Sequence, residues 1–417
     1  MRVNSRWNRR GFIGTAAAMM ASLATPNKLL SKARVVAAGA VNGFGHTGNP
    51  YEELGVATVI NCQGTMTMLG GSVLRPELEA VMAMAGRHFV NIPELEVAAG
   101  KRIAEMLKLP DGYTAIVTSG AAAAIQSGLA GVLTGDNEAL IRQLPDLTGM
   151  KSEVIIQKSH RNPFDHQLRS TGVKLIEVET RDELRRAIND RTAMMHFTNF
   201  ANAAGQIKVD EWARLAKQHN LPCMNDAAAD TPPVAHLWDY TNMGYDLVTF
   251  SGGKAMRGPQ CAGLLVGRKD LVASALLNNS PHEDTIGRSQ KVGKEEIIGM
   301  VKALELYLKE DHEVLQQEWQ GRLEQISHEL TKIPGVSTSF FVPDIANHVP
   351  HMRIEWDSRI SADSKAVSKL LRESKPAIVI GGGEGGPGLT MCSFMLQPGE
   401  DRTVAQQLSR ILREHSA

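Results

Sequence analysis

The chain has 417 residues, 43% hydrophobic and 22% charged, a balance that supports a large apolar core and more than one domain. Its 45 Lys+Arg equal its 45 Asp+Glu, so the formal net charge is zero. With no basic run, this excludes an evident nucleic-acid surface. Cys62, Cys223, Cys261 and Cys392 lie far apart without a C-x-x-C pair. That argues against a metal site or a disulfide framework and reads them as small buried residues.

The first segment reads as an address. Arg9-Arg10-Gly11-Phe12-Ile13 follows a basic, polar start, and an apolar run of small residues reaches Ala24. A charged segment followed by a short apolar one is an export signal rather than a membrane span. The paired arginines resemble a twin-arginine signal, although the usual lysine after the apolar pair is absent. Ser22-Leu23-Ala24 and Ala38-Gly39-Ala40 both suit cleavage. The expected location is periplasmic or otherwise extracytoplasmic; an amphipathic N-terminal helix, the other reading, would leave the chain cytoplasmic. Residues 1–40 are therefore assigned to signal and linker.

After Pro50 the pattern becomes regular. Ala57 to Asn61 reads as a strand, Arg75 to Ala85 and Glu94 to Leu107 as helices, with Pro76 at an early position where its missing N–H is harmless. Strands then alternate with helices. The expected strands are Thr114–Thr118, Glu153–Gln157, Val173–Val178, Ala193–Phe197, Pro222–Asn225, Leu247–Phe250 and Gly263–Val266, the last antiparallel to its neighbours. Ala121–Leu133 and Val209–Asn220 read as helices, and Thr180 with Glu183 as a capping box. Such alternation predicts a mostly parallel sheet wrapped by helices, with a large domain over 41–290. Lys291 to about Leu330 reads as one long helix opening a small α+β domain that completes 291–417. Its strands are expected at His351–Glu355, Ala377–Ile380 and Leu389–Phe394, its helices at Ser364–Glu373 and Asp401–Glu414. The cluster Gly381 to Gly386 is a loop and not a Walker loop, because no Gly-Lys-Ser/Thr follows.

Three short motifs carry chemistry. Thr118-Ser119-Gly120-Ala121-Ala122-Ala123 sits at a strand-to-helix turn. Small residues there let backbone N–H groups approach an anion at a helix N-terminus, or simply pack the helix on the sheet. Asn225-Asp226-Ala227-Ala228 places a carboxylate at a strand's C-terminal end, which faces the ligand crevice of an open α/β sheet. Asp226 could hold the proton of a pyridine nitrogen or cap a helix. Ser251-Gly252-Gly253-Lys254 puts a lysine on a tight turn after a strand. Packed out of water, such an amine loses its proton readily and attacks a carbonyl, as a Schiff-base lysine must. Taken alone, Gly-Gly-Lys reads equally as a surface lysine.

Anion cup, strand-end aspartate and strand-end lysine, in that order, resemble a pyridoxal 5′-phosphate (PLP) enzyme of the aspartate-aminotransferase fold, fold type I. More closely the chain resembles bacterial selenocysteine synthase (seryl-tRNA selenium transferase) and its small-molecule relatives such as D-glucosaminate-6-phosphate ammonia-lyase. The likeness spans about Tyr51 to Pro398. It also rests on Ile60-Asn61-Cys62-Gln63-Gly64-Thr65, Gly258-Pro259-Gln260-Cys261-Ala262-Gly263, and Gly287-Arg288 followed by Lys291-Val292-Gly293-Lys294-Glu295-Glu296. It implies a PLP-binding large domain with a sheet of the seven-stranded type. Ser119, Gly120, Ala121 and Ser251 would hold the phosphate, His160 stack on the ring, Asp226 pair with the ring nitrogen and Lys254 carry the cofactor and act as catalytic base. Asp165 and His166 are further candidates for substrate contact. Arg288, Arg353 and Thr65 are expected at the substrate, an arginine gripping its carboxylate; either arginine could equally be structural. A homo-oligomer with interfacial sites is implied, the loop Asn61 to Thr67 and the Arg288 segment walling the site.

The selenium-transfer enzymes carry an added tRNA-binding domain, and nothing before Tyr51 reads as one. The expectation is a lyase that deprotonates Cα of a small amino acid or amino-sugar acid and eliminates a β-substituent, giving a 2-oxo acid and ammonia. Transamination, racemisation and β-replacement share the same carbanion and stay open, as does an exported relative without turnover.

Overall fold

The computed structural model describes residues 49–382 and 388–416. The paired arginines and most of the glycine cluster, from Gly383 on, lie outside the described residues. Residues 49–58 belong to a separate small unit, in which the Asn49 side chain accepts the Tyr51 N–H at 3.1 Å and starts a single helical turn, Pro50–Glu53. Everything from Val59 on forms the second unit.

That unit is built around a seven-stranded sheet. In chain order its strands are β2 (Tyr113–Thr118), β3 (Glu153–Gln157), β4 (Lys174–Val178), β5 (Thr192–Thr198), β6 (Cys223–Asp226), β7 (Leu247–Ser251) and β8 (Gly263–Arg268). Their spatial order is β2-β8-β7-β6-β5-β3-β4. All pairs are parallel except those of β8, which runs against both β2 and β7. Every residue of β3, β5 and β6 is buried, as a parallel sheet covered on both faces requires. Ile155, Phe197, Trp212, Tyr245 and Phe250 fill one side of the sheet, and Ile116, Leu129, Met224 and Leu265 the other. The helices His236–Met243 and Lys269–Leu277 also form, where the sequence pattern had suggested none.

The C-terminal part carries a four-stranded antiparallel sheet. It is ordered β12 (Gly381–Gly382), β13 (Gly388–Cys392), β10 (His351–Trp356), β9 (Val336–Phe341). β9 was not expected, because Val-Ser-Thr-Ser-Phe-Phe carries little apolar alternation. Strand β1 (Val59–Asn61) does not join the large sheet. It pairs in parallel with β11 (Ala377–Val379), Ile60 opposite Ile378, and buries Ile60 and Cys62 among Leu323, Ile354, Val367 and Leu408. The helix expected over 291–330 is two, Lys294–Tyr307 and His312–Leu330. The break is made by Asp311, whose carboxylate accepts the Val314 N–H at 3.1 Å as an N-cap. Three cysteines are buried as expected; Cys261 is exposed, because it follows the surface turn at Gln260.

Candidate active site

Since β2, β6 and β7 run in one direction, their C-terminal ends lie along one edge of the sheet, where open α/β sheets bind ligands. Thr118 and Ser251 are both register partners of Gly263, the first residue of β8. The turn after β2 and the turn after β7 are thus joined through one glycine. A Cβ on Gly263 would lie 2.6 Å from the Gly120 carbonyl carbon and 2.7 Å from the Ala121 nitrogen. No other residue allows that approach.

Around this junction is a cavity of about 250 Å³ lined by Ser119, Gly120, Ala121, Asp226, Ser251 and Lys254, with Thr67, Phe164, Phe200, Asp230 and Gln260 completing its wall. A larger open groove of about 950 Å³ runs between His312–Leu330 and Glu400–Glu414, among Glu324, His328, Arg402 and Arg410. Its lining holds no lysine beside two buried carboxylates, so the smaller cavity is the candidate site.

Gly120, at φ +90°, turns the chain into Ala121–Thr134, and no side chain caps that helix. Its first-turn N–H groups and its dipole are left for an anion. Lys254 follows the buried Gly252 and Gly253; a Cβ on Gly253 would stand 2.7 Å from the Gln260 Cα, so the turn packs flat against the following loop. Burial pulls the Lys254 amine below its ordinary pKa, while Asp226 and Asp230 pull it back up. Asp226 is 5% exposed. Its Oδ1 accepts the Ala228 N–H at 3.2 Å and the Thr249 hydroxyl at 3.4 Å. Burial raises its pKa, which these hydrogen bonds and Lys254 oppose. Two carboxylates and one amine in a dry pocket are the pattern of acid–base chemistry.

Of the residues expected from sequence, Ser119, Gly120, Ala121, Asp226, Ser251 and Lys254 meet at the cavity. His160 does not line it. The ring is fully buried, edge-on to Phe197 at 4.4 Å. Its Nδ1 accepts the Thr198 N–H at 3.2 Å and its Nε2 meets the Gln157 amide at 3.1 Å. Burial lowers its pKa to about 4, so the ring is neutral near pH 7. The rings that do reach the cavity are Phe164 and Phe200.

Asp165 is held by Arg161 at 2.5 Å and Arg169 at 3.0 Å, and His166 by Arg169 at 3.2 Å. Thr65 is buried in the early loop, which reaches the cavity through Thr67 instead. Arg288 stands outside the cavity lining. Arg353 projects from the exposed face of β10, its guanidinium 4.5 Å over the Phe341 ring.

Asp230, Gln260 and the two phenylalanines are the residues sequence reasoning missed. Only Asp230 carried a signal, as a second acid four residues beyond Asp226.

The family model described as L-seryl-tRNA selenium transferase matches residues 59–320. D-glucosaminate-6-phosphate ammonia lyase of Salmonella typhimurium (strain 14028s / SGSC 2262) is 29% identical over 80% of this chain and 89% of its own length. A solved structure of D-glucosaminate-6-phosphate ammonia-lyase superposes with a TM-score of 0.77 at 26% identity, covering 88% of this chain and 99% of that one. The 5′-C-glycyluridine monooxygenase-decarboxylase of a Streptomyces species is 28% identical over 88% of this chain and 92% of its own. An aspartate aminotransferase from Thermus thermophilus shares the fold, with a TM-score of 0.54 at 13% identity over 86% of this chain and 99% of that one.

Proposed function

Because the chain belongs to the L-seryl-tRNA selenium transferase family of enzymes, we propose that it is a PLP-dependent lyase that eliminates a β-substituent from a small amino acid or amino-sugar acid. The observation that carries this reading is the meeting of Lys254, Asp226 and the uncapped Ala121–Thr134 helix at one cavity. These residues fit the cofactor. Ser119, Ser251 and the first-turn N–H groups would hold its phosphate, Asp226 its ring nitrogen, Phe164 or Phe200 its face, and Lys254 its aldehyde carbon. Once bound, the cofactor supplies an electron sink for the charge left at Cα. Lys254 would take the Cα proton. Burial lowers its pKa, which favours the free amine that this task requires. A protonated ring nitrogen would favour the Asp226 anion against the burial that raises its pKa.

The name of the Salmonella relative favours a substrate like glucosaminate, an acid with an amine at C2 and a hydroxyl at C3. Protein purified with PLP should show a visible cofactor absorbance and, after borohydride reduction, a covalent adduct on the Lys254 peptide. Lys254→Ala should lose both. Amino-sugar acids and 3-hydroxy amino acids should release a 2-oxo acid and ammonia with no amino acceptor. A product that keeps its nitrogen, inverted or exchanged, would overturn the lyase in favour of racemisation, transamination or β-replacement. Absence of the adduct would remove the cofactor itself. The Streptomyces relative supports a second reading, oxidative decarboxylation on the same scaffold; oxygen uptake with CO₂ release would mark it.

We also propose a homo-oligomer. Met66, Met68, Val73, Met84, Phe89 and Val90 expose their side chains in and beyond the early loop, a concentration of apolar surface that marks a protein interface.

A further inference from the structure

We propose that Asp230 is the acid that protonates a β-hydroxyl as it leaves, and that Lys254 then returns to it the proton taken from Cα. The inference rests on the lyase reading above and assigns its substrates to the 3-hydroxy class. Asp230 lines the same cavity as Lys254 and Asp226 and is only 2% exposed. Both of its side-chain donors, the Asn199 amide and the Tyr240 hydroxyl at 3.2 Å, go to Oδ2. Among the described residues no donor reaches Oδ1, which leaves that atom for the cavity. The main chain is fixed on both sides: the Asp230 N–H donates to the Ala227 carbonyl at 3.1 Å, and the Asp230 carbonyl meets the His236 ring at 2.7 Å.

The two carboxylates are not equivalent. Asp226 has its Oδ1 held by a backbone N–H and a hydroxyl. Asp230 is pushed up to about 7 by burial and by the negative charge of Asp226; Asn199, Tyr240 and Lys254 oppose the rise. A carboxylic acid so placed still carries its proton near neutral pH, as a general acid must. Lys254 is drawn up by Asp230 in turn, and both groups line the one cavity.

The step balances. The Cα–H bond breaks and its proton goes to Lys254 Nζ. The Cβ–O bond breaks with its electron pair on oxygen, which takes the Asp230 proton and departs as water. The Lys254 ammonium then reprotonates the Asp230 carboxylate, restoring both groups. Hydroxide needs this acid because it is a poor leaving group; chloride does not.

The test uses PLP-loaded wild type and Asp230→Asn, with serine and D-glucosaminate-6-phosphate each set against its 3-chloro counterpart. Asparagine keeps an acceptor for Asn199 and Tyr240 but has no proton to give. We expect kcat on the hydroxy substrate to fall by about 100-fold or more, and on the chloro substrate by less than about tenfold. Equal losses on both would overturn the proposal while leaving the lyase intact. Wild type inert toward all four would sink the lyase reading and the proposal with it.

Tyr240→Phe gives an independent readout should Asp230→Asn not fold. It removes a hydrogen bond that stabilises the Asp230 anion. The alkaline limb of kcat on the hydroxy substrate should therefore move to higher pH. A limb that stays in place, with activity lowered uniformly, would mean a structural tyrosine and defeat the assignment.

Discussion

Lys254 changes meaning through its neighbours. As a lysine after two glycines it has a surface reading; in the fold it is sunk beside two carboxylates. Gly263 shows how finely the site depends on single atoms. A methyl group there meets backbone at 2.6 Å and 2.7 Å, not a side chain that could swing away. Gly263→Ala should push the Gly120 turn out of position and weaken PLP binding by about tenfold or more, roughly 1.4 kcal/mol. Titration of the apoprotein with PLP would measure this. An unchanged affinity would mean that the phosphate does not sit at that turn. Lys254, Asp226 and the small-residue turn were legible because strand-end position and glycine are local signals. His160 was placed at the cofactor by its position after a strand, and only the fold decides that its ring turns inward to the Thr198 N–H. Asp230 had only its place four residues beyond Asp226 to mark it, and the intervening alanines gave no hint of the turn that brings it to the same cavity.

At the scale of elements, β2 is the edge of the large sheet, and an edge strand must satisfy or hide its outward N–H groups. The helix Ile92–Leu107 supplies the answer: Glu96, 1% exposed, accepts the Val117 N–H at 2.9 Å. Burial raises its pKa to about 8 from an ordinary 4.5, against the lowering effect of that hydrogen bond. The folded state thus holds a proton there that the unfolded chain releases near 4.5. Its stabilising contribution is complete below that pH and declines up to about 8, at up to roughly 1.4 kcal/mol per pH unit. Glu96→Gln keeps the acceptor and removes the titration. Its thermal midpoint should fall less than that of wild type between pH 5 and 8; parallel profiles would clear Glu96 of the effect. The broken helix at Asp311 belongs to this scale too. Apolar periodicity runs through both halves, and the cap that divides them is a single side-chain hydrogen bond, too slight a mark in the sequence to read as a stop.

Across the whole molecule, the early loop has two ties. Cys62 packs into the C-terminal core, while Thr67 reaches the cavity. Between and beyond them Met68 and Phe89 are 83% and 104% exposed. A second copy covering these residues would dock directly against a wall of the site. Met68→Asp with Phe89→Asp should therefore convert an oligomer to monomers in light scattering and lower turnover together with it. Full activity in a monomeric variant would show that each chain's site is complete alone. Among the described residues no helix is long and apolar enough to cross a membrane.

The sequence by itself determined the α/β class, the parallel sheet with one antiparallel strand, the strand-end lysine and aspartate, and the neutral charge balance. Each follows from residue order, burial period and charge, all of which are properties of neighbours along the chain. Tertiary structure alone decided that β1 belongs to the C-terminal core, that Phe164 and Phe200 rather than His160 face the cavity, and that Asp230 joins Lys254. Those outcomes depend on which strands lie side by side. Pairing across hundreds of residues, as between Ile60 and Ile378, is fixed by the burial of the whole core and leaves no local trace.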